Sequence, residues 1–133
     1  MSDTIRIVGF EGDVTAVAMI TPTVIQDDTP VESAAIDRRV YRRRRALLMA
    51  QYNEVGATTH TMAFTATESA TEGGAYTACT TSGTLTATSA DAIQFASIKP
   101  NFAKPWLKIT ATGSHTDVDG IASASVLFIG DSL

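Results

Sequence analysis

From Thr59 onward the chain is written in short runs of alternating side chains cut by Gly, Ser, Thr and Asp, and this alternation restricts the fold more than any other feature. His60, Met62, Phe64 and Ala66 fall on one parity, with Thr59, Thr61, Thr65 and Thr67 on the other. That is the two-residue period of a half-buried β-strand. Leu107, Ile109 and Ala111 alternate with Lys108, Thr110 and Thr112, and Ala122, Ala124, Val126 and Phe128 alternate with Ser123 and Ser125. Strands are expected over 43–52, 59–67, 75–79, 84–88, 92–98, 106–112 and 122–129. The spacing predicts an all-β domain of about seven strands, a β-sandwich with a jelly-roll-like path.

The first 36 residues differ in character. Ile5, Ile7, Val8 and Phe10, then Val14, Val17, Met19 and Ile20, are interrupted by Glu11-Gly12-Asp13 and stop at Thr21-Pro22. We expect an extended N-terminal arm over 1–36, pairing with the main sheet or with a neighbouring subunit, and the sandwich over 37–133. Removal of residues 1–20 is then expected to leave the sandwich folded. Between Val31 and Tyr52 the sequence allows a helix after a Thr-Pro start, or a loop followed by a strand from about Arg43. The lack of a 3.6-residue stripe favours the second.

At 133 residues the chain is long enough for one core. Charged residues are only 18% of it while Thr and Ala number twenty each, so the surface must be largely uncharged and suited to packing against other protein. Cys79 is the single cysteine, which rules out an intramolecular disulfide and is expected to be a buried thiol. No secretory signal pattern opens the sequence and no apolar run approaches the ~20 residues of a membrane span, so a soluble protein is expected.

Asp37-Arg38-Arg39-Val40-Tyr41, the apolar strand after it, Glu68-Ser69-Ala70-Thr71-Glu72-Gly73-Gly74-Ala75-Tyr76, and Lys104-Pro105-Trp106-Leu107-Lys108-Ile109 with a closing strand to Gly130 form a recognisable series. Over about residues 33–130 it resembles the small β-sandwich proteins encoded beside the major capsid protein in tailed bacteriophages. The sequence departs from that group in the Arg42–Arg45 run and in the longer apolar arm. The resemblance implies a head decoration or cement protein that is made in the host cytoplasm and resides on the capsid exterior. Its partner would be the major capsid protein and it would act as a homo-oligomer, a trimer being favoured, with no catalytic residues to carry over. A glycan- or host-surface-binding module, and a head-completion or tail protein, are the alternatives.

Six of the ten basic residues, Arg38, Arg39, Arg42, Arg43, Arg44 and Arg45, lie within eight positions, against fourteen acidic residues elsewhere. In an extended chain Arg42 and Arg44 point opposite to Arg43 and Arg45, which does not suit a phosphate ridge, and the net charge of −4 argues the same way. An interface role is expected for these arginines, for Ile5, Ile7, Val8 and Phe10, and for Trp106, with no nucleic acid or membrane as partner. Trp106, Tyr76 and Phe102 would be the aromatic platform of a sugar-binding module.

Three chemical motifs read as coincidence. Gly130-Asp131-Ser132-Leu133 resembles the nucleophile block of the GDSL esterases, but both histidines lie upstream of Ser132. His115, Asp117 and Asp119 fall in a Gly-bounded stretch that lacks the further ligands of a calcium loop. His60 reads as a strand residue. No enzyme activity, metal or cofactor is expected.

Overall fold

A computed structural model describes residues 4–7, 14–26, 29–41, 45–54, 61–81, 85–88, 92–113 and 118–130. The strand segments in chain order are β1 (Thr4–Ile7), β2 (Val14–Gln26), β3 (Val31–Glu32), β4 (Ile36–Asp37), β5 (Arg45–Glu54), β6 (Thr61–Ser69), β7 (Thr77–Ala78), β8 (Leu85–Thr88), β9 (Ala92–Ile98), β10 (Trp106–Gly113) and β11 (Val118–Ile129). A 3-10 turn, Arg38–Tyr41, follows β4. All pairing is antiparallel. One sheet runs β1-β2-β11-β5-β9; the other is built on β10 and β6, with β3 and β4 along one edge and β7 and β8 along the other.

The expected all-β sandwich is therefore the observed fold. Each of the seven expected strands has a counterpart, shifted by two residues or fewer at its start except the last, which begins four residues earlier. The four additional strands all come from residues 4–37, and among the described residues between Val31 and Tyr52 there is no α-helix. Within the segment read as an arm, β2 pairs with β11 from Val14 to Gln26 and buries Val17, Ile20 and Ile25. Of the two pairings expected for this segment, the one with the main sheet is seen.

The core is the inward parity of both sheets. Val17, Ile20, Leu48, Tyr52, Val126 and Phe128 come from the five-stranded sheet and meet Met62, Phe64, Leu107 and Ile109 from the other. Tyr41 closes one end by stacking on Phe128, ring centroids 4.0 Å apart. Between β3 and β4, Ser33 keeps the ladder to β10 intact: its N–H donates to the Ile109 carbonyl at 2.8 Å and its Oγ accepts from the Ile109 N–H at 2.9 Å. At the start of β11, where the register against β2 shifts between Val118 and Gly120, the Gly120 backbone lies close against β5. A Cβ at Gly120 would collide with the Asn53 carbonyl and the Tyr52 ring, so only glycine fits this approach.

Candidate functional site

The arginine run does not form one surface among the described residues. Arg38 turns inward, with its side chain only 10% exposed, and joins Glu68 at 2.8 Å. Its guanidinium also donates to the carbonyls of Lys104 (2.8 Å) and Lys99 (3.2 Å), while Asn101 Nδ2 donates to the second Glu68 oxygen at 3.0 Å. Glu68 follows Met62, Phe64 and Ala66 on the inward parity of β6, so its carboxylate has to find a partner inside the protein. The pair ties the 3-10 turn, β6 and the 99–105 loop together. Cys79 lies beside it and is half-buried; burial, with the Glu68 carboxylate adding to it and Arg38 opposing, pushes the thiol up to about 12.

Arg39 folds back on Asp37 through a forked contact, Nε to Oδ1 at 2.9 Å and Nη2 to Oδ2 at 2.8 Å. That hydrogen bonding holds the Asp37 carboxyl below its ordinary value. Trp106 opposes Asp37 and Ser69 across the ladder and is half-buried on the outer side of its sheet. On the same side Lys108 Nζ sits 4.4 Å over the Tyr76 ring and 3.1 Å from Glu32, while Tyr76 Oη donates to the Glu72 carbonyl at 2.7 Å. Phe102, the third member of the expected aromatic platform, stands 72% exposed in the loop before Trp106. This face is crossed by charge, through Lys108 and Glu32.

Arg45 lies instead on the five-stranded sheet, exposed at the start of β5 and at the mouth of a cleft of about 450 Å³ that Lys99, Thr80 and Ser97 also line. By register Ile5 opposes Ala16 and Ile7 opposes Val14 in that sheet. Val8, Phe10 and Arg42, Arg43 and Arg44 lie outside the described residues, as do His60, His115, Asp117 and Ser132.

The outward parity of the five-stranded sheet is the unusual surface. Register places Phe95, Met49, Ser125 and Ala18 in one row across β9, β5, β11 and β2. The next row holds Ser97, Leu47, Leu127 and Ala16. Further rows bring Ile93 beside Gln51 and Ile121 beside Val24, with Ile129 flanked by Arg45 and Val14 at the end. Ile93, Phe95, Val24 and Ile121 are 58%, 53%, 51% and 41% exposed. Arg45 is the only charged residue among these positions. Isolated apolar residues on a surface are ordinary, but an apolar band through Phe95, Met49, Leu47 and Leu127, bordered by the polar Gln51, Asn53 and Ser123, marks an interaction surface.

Sequence reasoning overlooked this face, although its signal was present. Ala46-Leu47-Leu48-Met49-Ala50 and Val126-Leu127-Phe128-Ile129 are apolar on both parities, and a strand that writes both sides in apolar residues is made to be covered on both. Among the described residues no three His, Cys, Asp or Glu side chains are grouped so as to hold a metal ion, and no helix is long and apolar enough to cross a membrane. No protein-family model and no curated protein matches the chain.

Proposed function

We propose that this is a non-enzymatic structural protein of a tailed-phage particle, a decoration or cement protein that binds the head as a homo-oligomer and stabilises it by added contact. The observation that carries the reading is the apolar outer face of the five-stranded sheet, which suits a molecule that works inside an assembly. Covering a half-exposed Phe95 or Ile93 contributes about 1–2 kcal/mol each, and repetition around a shell multiplies small contributions. The edge strand β1 adds support: among the described residues it pairs with β2 alone, and its other side offers a row of backbone groups to the major capsid protein. Residues 1–13, with Ile5, Ile7, Val8 and Phe10, together with Arg42–Arg44, supply the shell contact in this reading.

The test is co-sedimentation of the full chain with empty capsids of the source phage. Binding that saturates at a fixed ratio to the major capsid protein is expected. Absence of binding at tens of micromolar protein would overturn the proposal, as would saturable glycan binding abolished by Trp106→Ala without any shell binding.

A further inference from the structure

We infer that the outer face of the five-stranded sheet is covered by a second copy of this chain, packed face to face about a twofold axis that runs along the strands between β5 and β11. The inference rests on the reading of this face as an assembly surface and names its occupant.

The argument is the distribution of side-chain size across the rows. In the Phe95 row the bulky residues, Phe95 and Met49, stand on β9 and β5, and the small ones, Ser125 and Ala18, on β11 and β2. A twofold axis along the strands reverses the order of strands and keeps each row opposite itself. It therefore lays Phe95 on the partner's Ala18 and Met49 on the partner's Ser125, large on small. In the next row the same operation sets Leu47 against the partner's Leu127 and Ser97 against the partner's Ala16. The first row thus meets large on small, while the second places its two leucines together at the centre with small residues at both margins, an arrangement that an isologous interface allows. An axis across the strands would instead stack the bulky β9 edges on each other and leave the small-residue side empty.

Charge and area agree. A chain of net charge −4 repels its own copies, yet among the described residues this face presents no acidic side chain, and Arg45 stands at the end of the sheet beside Ile129. Ten paired residues along β5 and β11, and four strands in width, give on the order of 600 Å² from each copy. That is about 1,200 Å² in total, at the lower end of specific protein interfaces, so association is expected to depend on concentration. The two sheets would pack about 10 Å apart with strands nearly aligned, as in the sandwich itself.

The experiment is cross-linking of the full chain carrying Cys79→Ala, with Phe95→Cys and Ala18→Cys introduced singly and together, alongside light scattering of the natural chain. Within one copy these positions are three strands apart, too far for a disulfide. The double variant is expected to give covalent dimers under mild oxidation and the single variants little, while the natural chain moves from monomer to dimer mass with rising concentration. A strictly monomeric mass at several hundred micromolar, or efficient dimerisation through Phe95→Cys alone, would overturn the inference. Phe95→Glu, checked for an unchanged β-sheet spectrum, is expected to abolish the dimer; a dimer that survives it would place the interface elsewhere. The assay needs no capsids, so a dimer that ignores shells would defeat the decoration reading alone, and a monomer that binds them would defeat this inference and the oligomeric part of that reading while leaving shell binding standing.

Discussion

Arg38 shows how far a residue's surroundings can depart from its type. In the sequence it belongs to a basic run and is expected to face a partner, but the fold spends it internally, on Glu68 and two backbone carbonyls. Removing one member of a buried pair leaves the other charge without compensation. Arg38→Ala and Glu68→Ala are each expected to cost about 3–5 kcal/mol, whereas Arg38→Met with Glu68→Leu should lose much less than either. Thermal denaturation of the three variants decides this. Cys79, next to the pair, should resist alkylation at pH 8 in the native protein and react at once in denaturant. Because its folded value is about 12 and its ordinary value 9.0, the unfolded thiol ionises first as pH rises, so this contribution is present below pH 9 and is lost between about pH 9 and 12. A denaturant midpoint that falls over this range in the natural chain but falls less in Cys79→Ala would show it.

At the scale of elements, the second half of the fold was legible and the first was not, and β2 explains the difference. β6, β10 and most of β11 keep one parity inward along their length, so their burial appears in the sequence as simple alternation. In β2 the register shifts against β11 on either side of Ala124, so Val17, Ile20 and Ile25 reach the core at odd spacings. The period of two is lost, and Pro22 within the strand reads as a terminator although it falls at the second irregularity. β3 and β4 are only two residues each, too short to leave any period. The expectation that residues 1–20 are dispensable is accordingly replaced. Their deletion removes Val17 and Ile20 from the core and leaves one side of β11 unpaired over half its length, so the truncated chain should show no cooperative thermal transition by circular dichroism.

For the whole molecule, two apolar layers matter: one between the sheets, which composition and alternation disclosed, and one outside the five-stranded sheet, which they did not. The arginine run drew attention because it is compact in sequence, yet the chain path carries Arg38 and Arg39 to one sheet and Arg45 to the other. The outer layer is dispersed in sequence over β2, β5, β9 and β11 and becomes a surface only when the register aligns them. Local pattern reports which parity of a strand is buried; it does not report which strands stand side by side.

The placement of β11 also bears on how the protein is made. It lies between β2 and β5, both of which leave the ribosome long before it. Until β11 emerges, the nascent chain has its flanking strands but no centre to join them, and Val17 and Leu48 have no Val126 between them. Closure of that sheet is thus tied to the emergence of β11. A product terminated early within this sequence would lack the middle of the sheet rather than its margin, and would be open to proteolysis before it could enter any assembly.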